Sequence, residues 1–229
     1  MKNLPLMFFG IFFLLSASWC GVVLSANLQL SGLQPDRMDD GDPVFPNFSP
    51  GVALQGRQTY IELGCEYCHT QQVRPASLQL VFQPRATPDK PAKQETQLLS
   101  PDIARGWAER GSVARDYIFQ SPVLLGNVRR GPDLTDFGDR KASTADVLLH
   151  LYNARLIAPD SNMPPYRFLF KTQPIANGQP SLTALKFPPN APGAPAAGTE
   201  VVPTERAIEL AAYLQNLKLN YDLPEAKAK

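Results

Sequence analysis

The stretch Cys65-Glu66-Tyr67-Cys68-His69 constrains this chain more than any other. Two thiols three residues apart, with an imidazole directly after the second, form the C-x-x-C-H pattern of covalent c-type haem attachment, in which the thiols add to the haem vinyl groups and the histidine ligates the iron. On a helix the thiols fall at i and i+3 and the imidazole at i+4, so one flat macrocycle can meet all three on one face. The alternative, a zinc half-site, needs a second pair of ligands. The remaining cysteine is Cys20, inside an apolar run, and the remaining histidine is His150. The motif is read as one haem c held covalently by Cys65 and Cys68, with His69 as an axial ligand of its iron.

Electron-transfer haem is usually ligated on both faces, so a second axial residue is expected. The methionines are Met1, Met7, Met38 and Met163, the first two of them in an N-terminal apolar segment. Met38 stands in an acidic stretch. Met163 lies in Asn162-Met163-Pro164-Pro165-Tyr166, where the prolines restrict the backbone and can hold a thioether toward the iron. Met163 is the expected ligand, and His150 is the rival that would make the site bis-histidine. The choice sets the chemistry, because Met/His ligation raises the reduction potential.

A chain of 229 residues, 44% of them hydrophobic, can bury one good core with extensions or two small ones. Its 23 prolines exceed what a compact helical domain tolerates, so long loops are expected. The formal charge of +1 excludes a nucleic-acid-binding role, which calls for a marked basic excess. Three cysteines, two of them committed to the motif, imply no disulfide framework.

Leu4 to Ala26 carries no charged side chain and includes Phe8, Phe9, Ile11, Phe12, Phe13, Leu14 and Leu15. At about 1.5 Å per residue this run crosses a hydrocarbon layer of roughly 30 Å. A cleaved signal peptide is the alternative, with Ser16-Ala17-Ser18 as the small-residue site. The apolar character continues through Val22, Val23 and Leu24, and an uncleaved anchor is the preferred reading. Lys2 precedes the span and Asp36, Asp39, Asp40 and Asp42 follow it, which places the amino terminus in the cytoplasm. The expected location is a bacterial inner membrane, crossed once, with the haem domain on the periplasmic side.

Beyond the anchor, residues 31–50 shift to Pro, Gly and Asp and read as a linker lifting the domain off the membrane. Gly51 to His69 reads as the first helix, ending on the motif. Arg74 is a candidate partner for a haem propionate, and Pro84 to Lys93 reads as a surface insertion. Asp102 to Arg115 is expected to hold a short helix. Arg129 and Arg130, before Gly131-Pro132, are candidates for propionate pairing or for a docking face. A Gly-Pro turn can aim a carbonyl at the Nδ1 proton of His69. Ser143-Thr144-Ala145-Asp146 resembles a capping box that opens a helix of about a dozen residues. Thr172 to Pro203 reads as an exposed loop that wraps the domain, with a disordered insertion as the alternative. Ala207, Leu210, Ala211, Leu214 and Leu217 form a helical stripe in a last helix over Thr204 to Leu219, and Ala211 and Ala212 would admit a close helix crossing. Glu225 to Lys229 is expected to be a frayed tail.

Taken together, Gly56 to His69, Gly131-Pro132-Asp133-Leu134, Asn162-Met163-Pro164 and Glu209 to Leu214 resemble the successive signatures of a class I cytochrome c. Within that family, Arg57 to Pro75, Ser121-Pro122 to Leu134 and Pro159 to Tyr166 resemble the mono-haem subunit II of cbb-type cytochrome c oxidases. The resemblance implies a mainly α fold with long Pro-rich loops, preceded by one transmembrane helix, in which the first and last helices of the haem domain cross. It implies His69 and Met163 as iron ligands, Pro132 as acceptor for the histidine, and Leu134, Arg74 and Arg130 around the haem.

The implied layout is an anchor over 1–30, a linker over 31–50, a mono-haem domain over 51–221 with insertions at about 77–105 and 172–203, and a tail over 222–229. The implied function is the relay of single electrons from another cytochrome c, subunit or soluble, to the haem b and haem-copper catalytic subunit, where oxygen is reduced. Such a subunit has no catalytic centre of its own. The alternatives are the anchored cytochrome of another respiratory complex, such as a nitric oxide reductase, a free membrane-tethered carrier, and a peroxidase or ligand sensor with one axial position open.

Overall fold

An apolar helix leads the chain. α1 (Leu4–Trp19) runs through a π-helical stretch, Cys20–Leu24, into α2 (Ser25–Leu30). The computed structural model describes residues 3–74, 100–140, 143–189 and 191–227. The 27 residues from Leu4 to Leu30 are long and apolar enough to cross a membrane and bury nothing against the rest of the protein. Their length, about 40 Å at the rise of an α-helix, exceeds the hydrocarbon thickness of a bilayer.

The chain beyond residue 50 is organised by two crossing helices, α3 (Gly51–Glu62) and the C-terminal α6 (Glu205–Asn216), with α4 (Pro101–Ala104) and α5 (Thr144–Tyr152) between them in sequence. α3 buries Ala53, Gly56, Thr59 and Tyr60, and α6 buries Ala207, Leu210, Ala211, Tyr213 and Leu214. The backbones touch at Gly56, where a Cβ would stand 1.8 Å from the carbonyl oxygen of Glu209 and 2.8 Å from Cβ of Tyr213. The small residue that admits the crossing therefore sits on α3. On α6, Ala211 is buried and Ala212 only half-buried. The Tyr60 and Tyr213 rings meet edge to face beside it at 5.3 Å.

α5 (Thr144–Tyr152) opens on the expected capping box: Ser143 Oγ accepts from the Asp146 N–H at 3.1 Å, and the Ser143 N–H donates back to the Asp146 carboxylate at 3.3 Å. It is shorter than its apolar pattern suggested. Asn153 turns extended, and Leu156 falls on a separate 3₁₀ turn, Ala154–Leu156. Val147, Leu148, Leu151 and Tyr152 join Leu210, Ala211 and Leu214 in the main core.

Two further segments differ from expectation here. The helix expected over Asp102 to Arg115 is only α4 (Pro101–Ala104), because the chain turns back at Gly106 and enters a second turn, Ala114–Tyr117. A buried ion pair, Arg110 to Asp116 at 2.7 Å, organises this region together with the Tyr221 hydroxyl, which donates to the same carboxylate at 2.8 Å. The ends of the stretch read as a wrapping loop pair as strands, β1 (Phe170–Pro174) antiparallel to β2 (Thr199–Pro203), with Thr172 opposite Val201. β-branched Thr172, Val201 and Val202 suit a pleated surface. Glu200 closes the connecting segment by accepting from Gln173 Nε2 at 2.7 Å and from the Ser181 N–H at 2.6 Å. The described residues remain mainly helical.

The stretch between anchor and α3 lies on the domain. Asp36 and Phe45 exchange backbone hydrogen bonds of 2.8 Å, Phe45 stacks on Tyr221 at 4.5 Å, and Asn216 donates to Ser49 at 3.0 Å. Arg115 joins this stretch to the C-terminal residues, pairing with Asp36 at 3.5 Å and with Glu225 at 2.6 Å. Leu223 is buried and exchanges backbone hydrogen bonds with Ala226, so the chain is tied down beyond α6. The Pro84 to Lys93 insertion, and the insertion at 77–105 up to residue 99, lie outside the described residues.

Candidate functional site

The helix that approaches the motif stops before it. α3 ends at Glu62, Gly64 takes a left-handed conformation at φ 67°, and the chain re-enters a single 3₁₀ turn, Cys65–Tyr67. This corrects the reading of one helix from Gly51 to His69. The three functional side chains stay together by another route: the Cys68 and His69 N–H groups both donate to the Cys65 carbonyl, at 3.1 and 3.0 Å. Both cysteines are free and half-buried. Burial pushes the Cys65 thiol up to about 11, so it is a neutral thiol at pH 7.

His69 is positioned from across the fold. Its Nδ1 lies 2.8 Å from the Pro132 carbonyl oxygen, 63 residues away in sequence. Burial holds the imidazole below its usual range, outweighing the Pro132 carbonyl, which acts in the opposite sense. A neutral ring with its Nδ1 proton on a carbonyl leaves the Nε2 lone pair available as a donor. The loop is fixed to the motif on both sides of this bond: the Arg130 and Gly131 N–H groups donate to the Cys68 carbonyl at 3.0 and 2.9 Å, and the Leu134 N–H donates to the Thr70 carbonyl at 2.8 Å. Gly131 is required by the approach, since a Cβ there would stand 2.3 Å from Cε1 of His69. Leu134 is buried in the main core.

The Met163 loop comes to the same place. Met163, Tyr166 and Cys65 all pack against the main core, and the Tyr166 hydroxyl lies near the Cys65 thiol. Burial raises that hydroxyl to about 12. The loop is held by the Tyr166 N–H on the Leu151 carbonyl at 2.9 Å and by the Met163 N–H on Ser161 Oγ at 3.2 Å. His150, in the last turn of α5, is half-buried. Its imidazole is held below its usual range, first by burial and then by the nearness of His69.

The arginines sort into different roles. Arg74 pairs with Asp102 at 3.2 Å while remaining about half exposed. Arg130 is exposed, and among the described residues its guanidinium pairs with no carboxylate. Arg129 is the one drawn inward: Nε donates to Thr70 Oγ1 at 2.7 Å, Nη1 to Asp102 at 2.6 Å, and Nη2 to the Gln72 carbonyl. Burial alone would raise the Asp102 carboxyl, and the hydrogen bonds from Arg74 and Arg129 outweigh it, so the group is held below the carboxylate range. Thr70, Asp102 and Asp133 were not singled out by sequence reasoning. The contacts that join them to one another and to Arg129 and Arg74 include ones 27 to 63 residues apart, so no short window marks them. The one hint is their position, Thr70 directly after the motif and Asp133 directly after the Gly-Pro turn.

Residues 99–186 match the protein-family model described as "Cytochrome C oxidase, mono-heme subunit/FixO". Over that span the chain is similar to the mono-haem subunit of a cytochrome c oxidase. The likeness bears out the oxidase resemblance read from the motifs, and it spans well under half of the chain. The span matched to the mono-haem subunit holds Asp102, Arg129, Pro132, Asp133, Leu134 and Met163, and lies outside Cys65 to His69. No curated protein matches the chain.

The cofactor of such a subunit is haem, and the residues present fit it. Two free sulfurs and a neutral imidazole share one turn, Gly131 leaves room against the imidazole that any side chain would fill, and the methionine loop packs against the same core as Cys65. Among the described residues no group of three His, Cys, Asp or Glu side chains is gathered as a bare metal ion would need.

Proposed function

We propose that this protein is a membrane-anchored mono-haem cytochrome c that relays single electrons from a donor cytochrome c to the haem b and haem-copper catalytic subunit of a cbb-type terminal oxidase. The observation that carries the reading is the 2.8 Å contact between His69 Nδ1 and the Pro132 carbonyl, made next to two free thiols. An imidazole so held presents Nε2 in a fixed direction and as a stronger donor, which is what an axial ligand requires.

In this reading Cys65 and Cys68 each supply one thioether sulfur, and His69 and Met163 supply the two axial atoms. When bound, the haem supplies one-electron redox chemistry, and no open coordination site is used. Pro132 fixes the tautomer of His69. Gly131 permits the ring's approach, and Leu134 closes the apolar side of the pocket. Arg74 and Arg130, on the more exposed side, offer charge toward propionates or a partner. The anchor over 1–30 holds the haem domain, 51–221, at the periplasmic surface of a bacterial inner membrane. The stretch 31–50 joins them, and 222–229 forms the tail.

Ligation is tested by the absorption spectrum and reduction potential of two variants. Met163→Ala is expected to lose the low-spin spectrum and to bind carbon monoxide once reduced, while His150→Ala keeps both the spectrum and a high potential. An unchanged low-spin spectrum in Met163→Ala overturns the assignment and turns attention to His150.

A further inference from the structure

We propose that the buried carboxylate of Asp133 is the positioning group for His69, fixing the imidazole's bond to Pro132 by crosslinking the residues that follow the two partners. The proposal rests on the reading of His69 as an iron ligand. Asp133 follows Pro132, and Thr70 follows His69. The Thr70 hydroxyl donates to Asp133 Oδ2 at 2.5 Å, and the Gln72 N–H donates to the same oxygen at 2.9 Å. Oδ1 accepts from the Thr135 N–H at 2.9 Å and from the Thr135 hydroxyl at 2.6 Å. The residue is fully buried, and Arg129 Nη2 stands 3.5 Å from Oδ2.

This geometry does something the His69–Pro132 bond cannot do alone. A single imidazole-carbonyl hydrogen bond contributes little net, so its length depends on how rigidly its two ends are held. Oδ2 grips the chain leaving His69 at two points, Thr70 and Gln72, and because Asp133 itself follows Pro132 this alone ties the two partners together, while Oδ1 bonds only within its own loop, at Thr135. Arg129 braces the joint from the far side through Thr70 Oγ1, the Gln72 carbonyl and Asp102. An asparagine cannot replace the acid: it offers one acceptor oxygen, and whichever way the amide turns, its nitrogen faces a backbone N–H donor to donor, that of Gln72 or that of Thr135. The strength of the Nδ1 bond governs the basicity of Nε2, and so Asp133 reaches the potential of the iron without touching the haem.

The test uses the full-length, haem-loaded protein in detergent and reads two quantities: the exchange of the His69 Nδ1 proton with solvent, by NMR on nitrogen-labelled protein, and the reduction potential. Asp133→Asn and Thr70→Val are expected to speed that exchange about tenfold, the protection one hydrogen bond confers, and to raise the potential. Thr70→Val keeps the buried charge, so a rise there is not a charge effect. Thr135→Val, which loses a bond to the same carboxylate without cutting the crosslink to the His69 side, is expected to stay near wild type.

Wild-type exchange and potential in both Asp133→Asn and Thr70→Val overturn the proposal, as does a Thr135→Val shift as large as that of Thr70→Val. If Asp133→Asn does not accumulate, Thr70→Val decides by the same readings. Failure of the parent reading looks different: the wild-type chain itself would carry no covalently bound haem.

Discussion

Asp136 shows how single residues in this fold trade stability for placement. It is almost fully buried, and Oδ1 accepts the Leu219 N–H at 2.6 Å, tying the loop after the Gly-Pro turn to the chain leaving α6. Burial pushes its carboxyl up to about 6, with the Leu219 N–H acting against the rise and Asp139 adding to it. The folded state therefore holds the proton more tightly than the unfolded chain. Its favourable contribution is complete below the ordinary carboxylate value near 4 and is lost as pH rises through about 6. The loss across that window is about 3 kcal/mol. Asp136→Asn keeps an acceptor for Leu219 and removes the titration. Urea midpoints measured between about pH 4 and 7 should fall in the wild type relative to the variant. Parallel profiles for the two would show that the carboxyl is not held in its neutral form.

Among the elements, the α3–α6 crossing is the joint on which the motif hangs, and Gly56 is its contact point. Gly56→Ala places a Cβ 1.8 Å from a backbone oxygen that no rotamer change can move. The helices must separate, at about 2 to 3 kcal/mol for overpacking, which lowers the thermal midpoint by roughly 5 to 10 °C in a protein of this size. A midpoint at the wild-type value would mean that the helices do not meet there. The α6 side of this joint was legible in the sequence, because Ala207, Leu210, Ala211 and Leu214 repeat with the helical period. Gly56 was not, since a lone glycine in a helix carries no label saying which partner approaches it.

The same distinction explains the other differences. The capping box at Ser143 is local and was readable. The break before Cys65 follows from one glycine taking a left-handed conformation, and an uninterrupted run to His69 was equally compatible with the residues. β1 and β2 pair across a long connection, and their register depends on Glu200 reaching Ser181 and Gln173, contacts that no short window contains. Likewise the five-residue motif announced the cofactor by itself, whereas Asp133, Thr70 and Arg129, which brace the histidine, meet only once the chain has folded.

For the molecule as a whole, an apolar helix of 27 residues leads into a stretch that is strapped to the domain rather than trailing from it. Asp36, Phe45 and Ser49 hold that strap to Arg115, Tyr221 and Asn216, residues from widely separated parts of the domain. An attachment fastened at several points limits how far the motif can swing relative to the helix, which suits the proposed relay. All of this depends on one haem being joined to this polypeptide through both cysteines. The direct measurement is the pyridine haemochrome of the full-length protein, purified from membranes after maturation and extracted with acidified acetone. The account predicts one haem per chain, retained by the polypeptide after extraction, with the spectrum of a haem saturated at both vinyl positions and lost in the Cys65→Ala, Cys68→Ala double variant. A chain from which the extraction removes all haem, or one that never carried any, would contradict it.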